Sequence, residues 1–115
     1  MPPKRDGRPG GGVEGMHGPR PSGHWSGSSG CRRDFAFLAA GGRYRVSAEF
    51  TDFDGDVHPP GEEWTFLGSS FLPYDDGLSL FVSLDGSQEW HIRMQWRPEA
   101  QGDILDRLAS YLVVA

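Results

Sequence analysis

The chain has 115 residues, of which 37% are hydrophobic, and a formal net charge of −5. A chain of this length forms one small domain that buries a limited share of its surface, so each large apolar side chain matters to its stability. The single cysteine, Cys31, excludes an intrachain disulfide and a thiolate-rich zinc site, and no apolar run reaches the roughly 18 residues typical of a membrane-spanning helix.

The N-terminal part is poor in large apolar residues. Fourteen of the first thirty residues are glycine or proline, and such a segment cannot offset the entropy it would lose on ordering. We therefore predict that residues 1–30 form a disordered, basic Gly/Pro/Ser-rich tail, either a flexible arm or a segment without a task. Residues 31–42 contain a short apolar run, 35–40, that periodicity does not assign, and we expect a short linker or an edge segment of the domain there.

Residues 43–115 are predicted to fold as a small β-rich domain. Alternating apolar and polar side chains over 43–50 indicate a half-buried strand. Turn residues around Gly55 and Gly61 follow. Residues 64–67 then predict a second strand that ends at Gly68, followed by an aromatic-bearing loop over 71–77.

The best local signal is a β-hairpin. Residues 78–84 and 90–96 both alternate apolar and polar side chains, and Asp85 and Gly86 between them favour a tight turn. After Pro98, apolar residues recur at a helical spacing from Ile104 to Leu112, which predicts an amphipathic helix covering the sheet. The expected fold is α+β and mainly antiparallel β: a small curled sheet or SH3-like barrel of four to five strands with a C-terminal helix.

Charge is divided unevenly along the chain. Residues 1–42 carry six Lys/Arg against three Asp/Glu, whereas residues 43–115 carry five against thirteen, so the first part is +3 and the second −8. An acidic domain repels phosphate backbones, because nucleic-acid binding depends on cationic side chains. We therefore expect no nucleic acid as a partner of the domain, and the lack of a long apolar run predicts no membrane partner.

A set of motifs from about Leu38 to the C-terminus resembles an uncharacterised bacterial family of domains of unknown function. The likeness is carried by Gly-x-Tyr-x-Val at 42–46, Gly-Glu-x-Trp-x-Phe-Leu-Gly at 61–68, Phe-Leu-Pro-Tyr-Asp-Asp-Gly-Leu at 71–78, and Ile-Arg-x-Gln-x-Arg at 92–97. The resemblance covers about two thirds of the chain and implies no activity. Residues 1–30 lie outside the region of resemblance.

Acidic residues between the first two predicted strands have the spacing of a calcium loop. The candidate ligands, at positions 1, 3, 5, 7 and 12 of such a loop, are Asp52, Asp54, Asp56, His58 and Glu63. The match lacks the glycine at position 6, and no helix flanks the segment. A solvated acidic turn explains the same residues, so we predict no metal or other cofactor. His58 before two prolines is read as a turn residue, and His91 as an exposed residue of a polar strand face.

No catalytic constellation is recognised. The serines lack a Gly-x-Ser-x-Gly elbow, and Cys31 has no evident base nearby. The adjacent carboxylates at 62–63 and 75–76 are typical of turns that face water rather than of acid/base pairs set across a cleft.

Two polar features remain as candidate binding sites. The first is the row His91, Arg93, Gln95 and Arg97 on one face of a strand, whose arginines either pair internally with Glu49, Glu62 or Glu63, or bind an external anion. The second is the loop with Tyr74, Asp75 and Asp76, which either offers a groove for a basic or Pro-rich peptide or plugs the end of the core.

The sequence favours a non-enzymatic protein- or peptide-interaction module, a cytoplasmic monomer whose acidic surface and Tyr74 loop bind a basic protein or peptide. One alternative is a small enzyme or anionic-ligand binder that uses Arg93 and Arg97. A second alternative is an immunity or regulatory protein for a basic partner. The candidate binding residues, taken together, are Tyr74, Asp75, Asp76, His91, Arg93 and Arg97.

Overall fold

The computed structural model describes residues 17–115. They are organised around one six-stranded antiparallel sheet, in the spatial order β1-β9-β8-β7-β4-β10. Its strands are β1 (His17–Pro21), β4 (Arg43–Val46), β7 (Glu63–Leu72), β8 (Gly77–Ser83), β9 (Gln88–Gln95) and β10 (Leu112–Val114). Two small sheets accompany it, β2 (Asp34–Phe35) with β3 (Leu38–Ala39), and β5 (Phe50–Thr51) with β6 (Val57–His58). A short helix, α1 (Gly102–Asp106), and a 3-10 turn, Leu108–Ser110, precede β10.

The core lies on one face of the large sheet, called the inner face below. Leu38 from β3 and Leu105 and Leu108 from the helical segment cover this face. The buried sheet residues beneath them are Tyr44, Val46, Trp64, Phe66, Leu78, Leu80, Val82, Trp90, Ile92, Met94 and Leu112. Their alternation along β8 and β9 leaves the opposite, outer face with polar and aromatic side chains.

The predicted hairpin is confirmed as β8 and β9, with Leu78 opposite Met94 and Leu80 opposite Ile92. The carboxylate of Asp85 accepts hydrogen bonds from the amides of Ser87 (2.9 Å) and Gln88 (2.8 Å), which closes the turn. Gly86 has a φ of 84°, a value that a residue with a side chain rarely adopts.

The predicted mainly antiparallel β fold is confirmed, with six strands in the main sheet rather than four or five. Of its two predicted forms, the SH3-like barrel is wrong, because the described sheet is open, with β1 at one edge and β10 at the other. The predicted helix is also shorter than its apolar stripe, since α1 has five residues and the chain returns to the sheet as β10. Leu112 is therefore buried from a strand, opposite Val46. Among residues 17–115, no helix has the length and apolar character needed to cross a membrane.

Other strands differ in extent from their predictions. The first strand leaves the large sheet after Val46, and Phe50 belongs to the small β5–β6 ladder instead. The second continues past Gly68 to Leu72, because an irregularity between Phe66 and Gly68 lets pairing with β8 resume.

The predicted disordered tail divides into two parts. Residues 1–16 lie outside the described residues. Residues 17–30 differ from the prediction, since they form β1 and a series of turns. Their order comes from long-range contacts to β8 and β9, among them the stacking of Trp25 on Phe81, which composition does not reveal.

Candidate functional site

The outer face of β8 and β9 holds a cavity of about 200 Å³. It is bounded by the β5–β6 loop on one side and by the β7–β8 turn on another. The lining residues are Phe53, Leu72, Asp75, Gly77, Leu78, Ser79, His91, Arg93, Met94 and Gln95. Three of the predicted binding residues, Asp75, His91 and Arg93, therefore lie together.

His91 is half-buried rather than exposed, and its Nε2 lies 2.7 Å from the hydroxyl oxygen of Ser79 on the neighbouring strand. Burial, followed by the charges of His17 and Arg93, lowers the pKa of His91 to about 4. The ring is therefore neutral at physiological pH and a weak base. A serine beside such a ring is better suited to hydrogen bonding a ligand than to nucleophilic attack, which needs a base with a pKa near the working pH.

The two predicted arginines are paired internally and lie apart. Arg93 reaches Asp54 at 3.1 Å and lies over the ring of Phe53, 5.1 Å from its centroid. Arg97 reaches Asp76 at 2.9 Å and lines a different cavity, of about 460 Å³, formed with Trp96, Pro98, Gly102, Asp103 and Asp106. In the described part of the chain neither of these two cavities contains both guanidinium groups.

Of the three acids predicted as partners of these arginines, Glu62 and Glu63 have other partners, and Glu49 is exposed and forms no ion pair among residues 17–115. Glu63 lies 3.4 Å from Arg43 and 3.8 Å from Arg45, on the strand that pairs with its own. Glu62 turns into the protein. The actual partners, Asp54 and Asp76, belong to turns. Strand alternation does not specify where these turns lie relative to β9.

A polar network around His58 is buried between the β5–β6 ladder and β7. His58, 0% exposed, lies 2.8 Å from a carboxylate oxygen of Asp52 and 2.6 Å from one of Glu62, which also accepts from the indole of Trp64. Burial alone would lower the pKa of His58, but these hydrogen bonds and the two negative charges raise it to about 9. The interpretation of His58 as a turn residue is therefore wrong. Its ring is buried and protonated, and it links the side chains of Asp52 and Glu62.

The proposed calcium ligands do not converge. Asp52 is committed to His58 and to the amides of Asp54 and Asp56, both at 3.0 Å. Asp54 bonds His17 at 2.9 Å as well as Arg93. Glu63 is held by the arginines of β4, and residues 17–115 contain no cluster of three or more metal-ligating side chains. Burial, and then the charges of Asp52 and Asp54, raise the pKa of Asp56, as expected of an acidic turn.

Tyr74 stands at the tip of the β7–β8 hairpin and is 83% exposed. Asp75 accepts a hydrogen bond from the amide of Gly77 at 3.0 Å, and Asp76 carries a φ of 55°, so both residues shape the turn. In the strand ends next to this turn, Phe71, Leu72 and Trp96 are 40%, 46% and 38% exposed. The rings of Phe71 and Trp96 meet edge to face, whereas Leu72 lies on the outer face of β7 and lines the 200 Å³ cavity. We call Phe71, Leu72, Tyr74 and Trp96 the tip surface.

Several residues of these sites escaped prediction. Phe53 and Ser79 line the cavity, and Glu89 is 2% exposed beneath residues 23–26. The position of Ser79 opposite Arg93 on the outer face follows from the hairpin register and was accessible from the sequence. Phe53 and Glu89 were not, because their neighbours are distant along the chain.

Comparison with known proteins gives a family and a fold. Residues 31–115 match the family model "Domain of unknown function (DUF3601)". Among solved structures, an integron cassette protein from the mobile metagenome of Vibrio cholerae is 38% identical, with 74% of this chain and 93% of that chain covered and a TM-score of 0.70. No curated protein matches the chain. The resemblance to an uncharacterised domain family is thus confirmed, and the matched region extends upstream to Cys31.

Proposed function

The chain belongs to DUF3601, a family of domains of unknown function, and we propose that it is a non-enzymatic interaction module that binds a basic peptide at its tip surface. The observation that carries the proposal is the concentration of exposed apolar side chains around one hairpin turn. Tyr74 alone leaves 83% of its surface in water. Single exposed apolar residues are ordinary, but adjoining ones rimmed by polar groups are typical of interaction sites.

The charge around the tip surface supports a basic partner. The turn at the tip surface carries Asp75 and Asp76, and Asp106 accepts the indole N–H of Trp96 at 2.9 Å. Residues 43–115 have thirteen acidic against five basic side chains. A peptide with Lys or Arg next to an aromatic or aliphatic side chain complements this surface, and its association is favoured by the acidic field.

The arrangement of the nearby cations agrees with this choice. Arg93 and Arg97 are each within salt-bridge distance of an aspartate, so they do not present an unopposed positive site. The neutral ring of His91 adds no positive charge. These contacts favour a basic partner over a small anion.

A random peptide library panned against the immobilised full-length chain tests the proposal. We expect selected peptides to combine Lys or Arg with an apolar residue, and we expect Tyr74→Ala to weaken their binding about tenfold, as loss of an aromatic anchor does. Asp75→Asn should weaken binding most at low salt. Val114→Ala serves as the matched control, because Val114 is 71% exposed and lies on β10.

Two results would contradict the proposal. One is the absence of any peptide that binds above background to the wild-type chain. The other is a set of selected peptides that bind Tyr74→Ala and wild type equally well. Because Tyr74 is almost fully exposed, its replacement should leave the melting temperature unchanged, so a loss of binding is not confused with unfolding.

A further inference from the structure

The N-terminal segment 17–26, called the strap below, pairs with the edge of β9 through β1 and then turns over the outer face of β8 and β9 with residues 23–26. It precedes residue 31, where the family match begins. The strap is polar and largely exposed, and only Gly18, Trp25 and Ser26 are half-buried. Its contacts with the domain are therefore concentrated at a few places.

The first contact is a socket for main-chain amides made by Glu89. This side chain accepts hydrogen bonds from the amides of Gly23 (2.7 Å), Trp25 (2.9 Å) and Ser26 (3.1 Å), and from the hydroxyl of Ser26. Burial alone would raise the pKa of Glu89, but these donors outweigh it and lower the pKa. Glu89 is 2% exposed, and among residues 17–115 every hydrogen-bond donor to its carboxylate comes from the strap.

The second contact is an aromatic platform. The indole of Trp25 stacks on Phe81, with centroids 5.9 Å apart and planes 3° from parallel. The same indole lies 5.3 Å from the ring of His91. Phe81 is 5% exposed although it lies on the outer face of the sheet, so the strap removes this apolar ring from water.

The third contact is pairing with the edge of β9. Arg20 and Pro21 lie opposite Glu89 and Gln88, and His17 lies opposite His91. Gly18 passes so close to the strand that an added Cβ would be 2.6 Å from the carbonyl oxygen of Glu89. Addition of an extended segment to an exposed sheet edge, with a pocket for one large side chain, is a general mode of peptide recognition.

We propose that the edge of β9, with Glu89, Phe81 and His91, is a peptide-docking site that the chain fills with its own strap as a separable ligand. The occupant is defined by its chemistry: a glycine that passes the strand, three amides and a hydroxyl for Glu89, and an indole for Phe81. The strap continues into Gly27, Ser28, Ser29 and Gly30, which are all exposed. A segment held by few buried contacts opens at low free energy.

Cleavage of the strap in the full-length protein tests this directly. A site-specific protease sequence is inserted between Ser29 and Gly30, and the cut chain is analysed by size exclusion and circular dichroism. We expect a folded domain that retains the fragment at high protein concentration and loses it on dilution. A fluorescent synthetic peptide of residues 17–29 should then rebind, as measured by anisotropy.

Variants identify the contacts. Trp25→Ala or Gly18→Ala in the peptide, which leave the domain unaltered, should each weaken rebinding at least tenfold. Glu89→Gln in the domain should weaken it similarly, because the new amide opposes donors with a donor of its own. Glu99→Gln, an exposed glutamate just after β9, is the matched control and should leave the peptide affinity unchanged.

Four outcomes would overturn the proposal. If the cut protein unfolds, the strap is an integral part of the fold. If it stays folded but the peptide does not rebind, the strap is not a separable ligand. If both peptide variants rebind as well as the parent, the contacts of Gly18 and Trp25 do not carry the binding. If the uncut chain forms a concentration-dependent dimer that cleavage abolishes, the strap docks on a second copy and the assignment within one chain is wrong.

Discussion

His58 and His91 are held in opposite charge states by their surroundings. The two carboxylates at 2.6 and 2.8 Å keep the ring of His58 protonated, although it is 0% exposed. His91 faces a serine hydroxyl, an indole and the charge of Arg93, and burial keeps its ring neutral. The two residues therefore affect stability in opposite pH ranges.

We expect the free energy of unfolding to be greatest near pH 6.5. The pKa of His58 is about 9 in the folded protein and about 6.5 unfolded, so its contribution is complete below 6.5 and is lost as the pH rises through 9. The pKa of His91 is about 4 when folded, so its contribution is complete above 6.5 and is lost as the pH falls towards 4. Urea unfolding from about pH 4 to about pH 9 measures both arms.

Variants separate the two arms of the profile. His58→Asn should remove most of the alkaline decline, which amounts to at most about 3 kcal/mol at about 1.4 kcal/mol per pKa unit. His91→Asn should make the acidic decline shallower, and His24→Asn in an exposed turn should leave the profile unchanged. A stability that keeps rising between pH 7 and 9 in the wild type would contradict this account.

These residues also mark how far side-chain roles were predictable. Alternation along β9 correctly put His91 and Arg93 on one face, because that face depends only on neighbouring residues. The role of His58 depends on Asp52 and Glu62 meeting across a turn, and that of Glu89 on amides more than sixty positions away. Local sequence patterns do not predict contacts of this kind.

At the scale of elements, β7 and the segment before β2 approach unusually closely. Arg32 and Ser69 exchange two main-chain hydrogen bonds, at 2.7 and 2.8 Å, and Gly68 lies beside them without a side chain. A Cβ on Gly68 would be 2.4 Å from the sulfur of Cys31 and 2.7 Å from the carbonyl oxygen of Arg32. A glycine is therefore required in this strand for packing.

We expect Gly68→Ala to destabilise the protein by about 1–3 kcal/mol, the usual cost of forcing extra volume into a packed site. Thermal unfolding followed by circular dichroism measures the change. Gly30→Ala is the matched control, because a Cβ there has no neighbour within 4 Å. Equal melting temperatures for the two variants would show that the segment around Cys31 does not pack against β7 as described.

Elements were predictable where a local signal defines both of their ends. The β8–β9 hairpin has alternation on both strands and an Asp-Gly turn between them, and it was predicted correctly. Gly68 was taken as the end of β7, because a glycine at a close approach looks the same in sequence as one at a break. The apolar spacing of 104–112 fits a helix, yet Leu112 reaches the same core from an edge strand.

At the scale of the molecule, residues 17–115 are built around an open sheet whose two edges contribute unequally to the core. β1, the strand of the strap, contributes no side chain to the buried core, and its anchors lie on the outer face. β10, at the opposite edge, inserts Leu112, which is 1% exposed, and its pairing with β4 extends to Ala115. The strand at the β1 edge can therefore be replaced by another peptide without loss of core contacts, whereas the strand at the β10 edge supplies a core residue.

This difference predicts a contrast at the C-terminus. We expect Leu112→Ala to lower the free energy of unfolding by about 2–5 kcal/mol, because it empties a core position. Val114→Ala, two residues along the same strand and 71% exposed, should change it by no more than about 0.5 kcal/mol. Chemical denaturation of the two full-length variants measures both values. If the two substitutions cost the same, β10 does not close the inner face, and the asymmetry between the edges that makes the strap separable is lost with it.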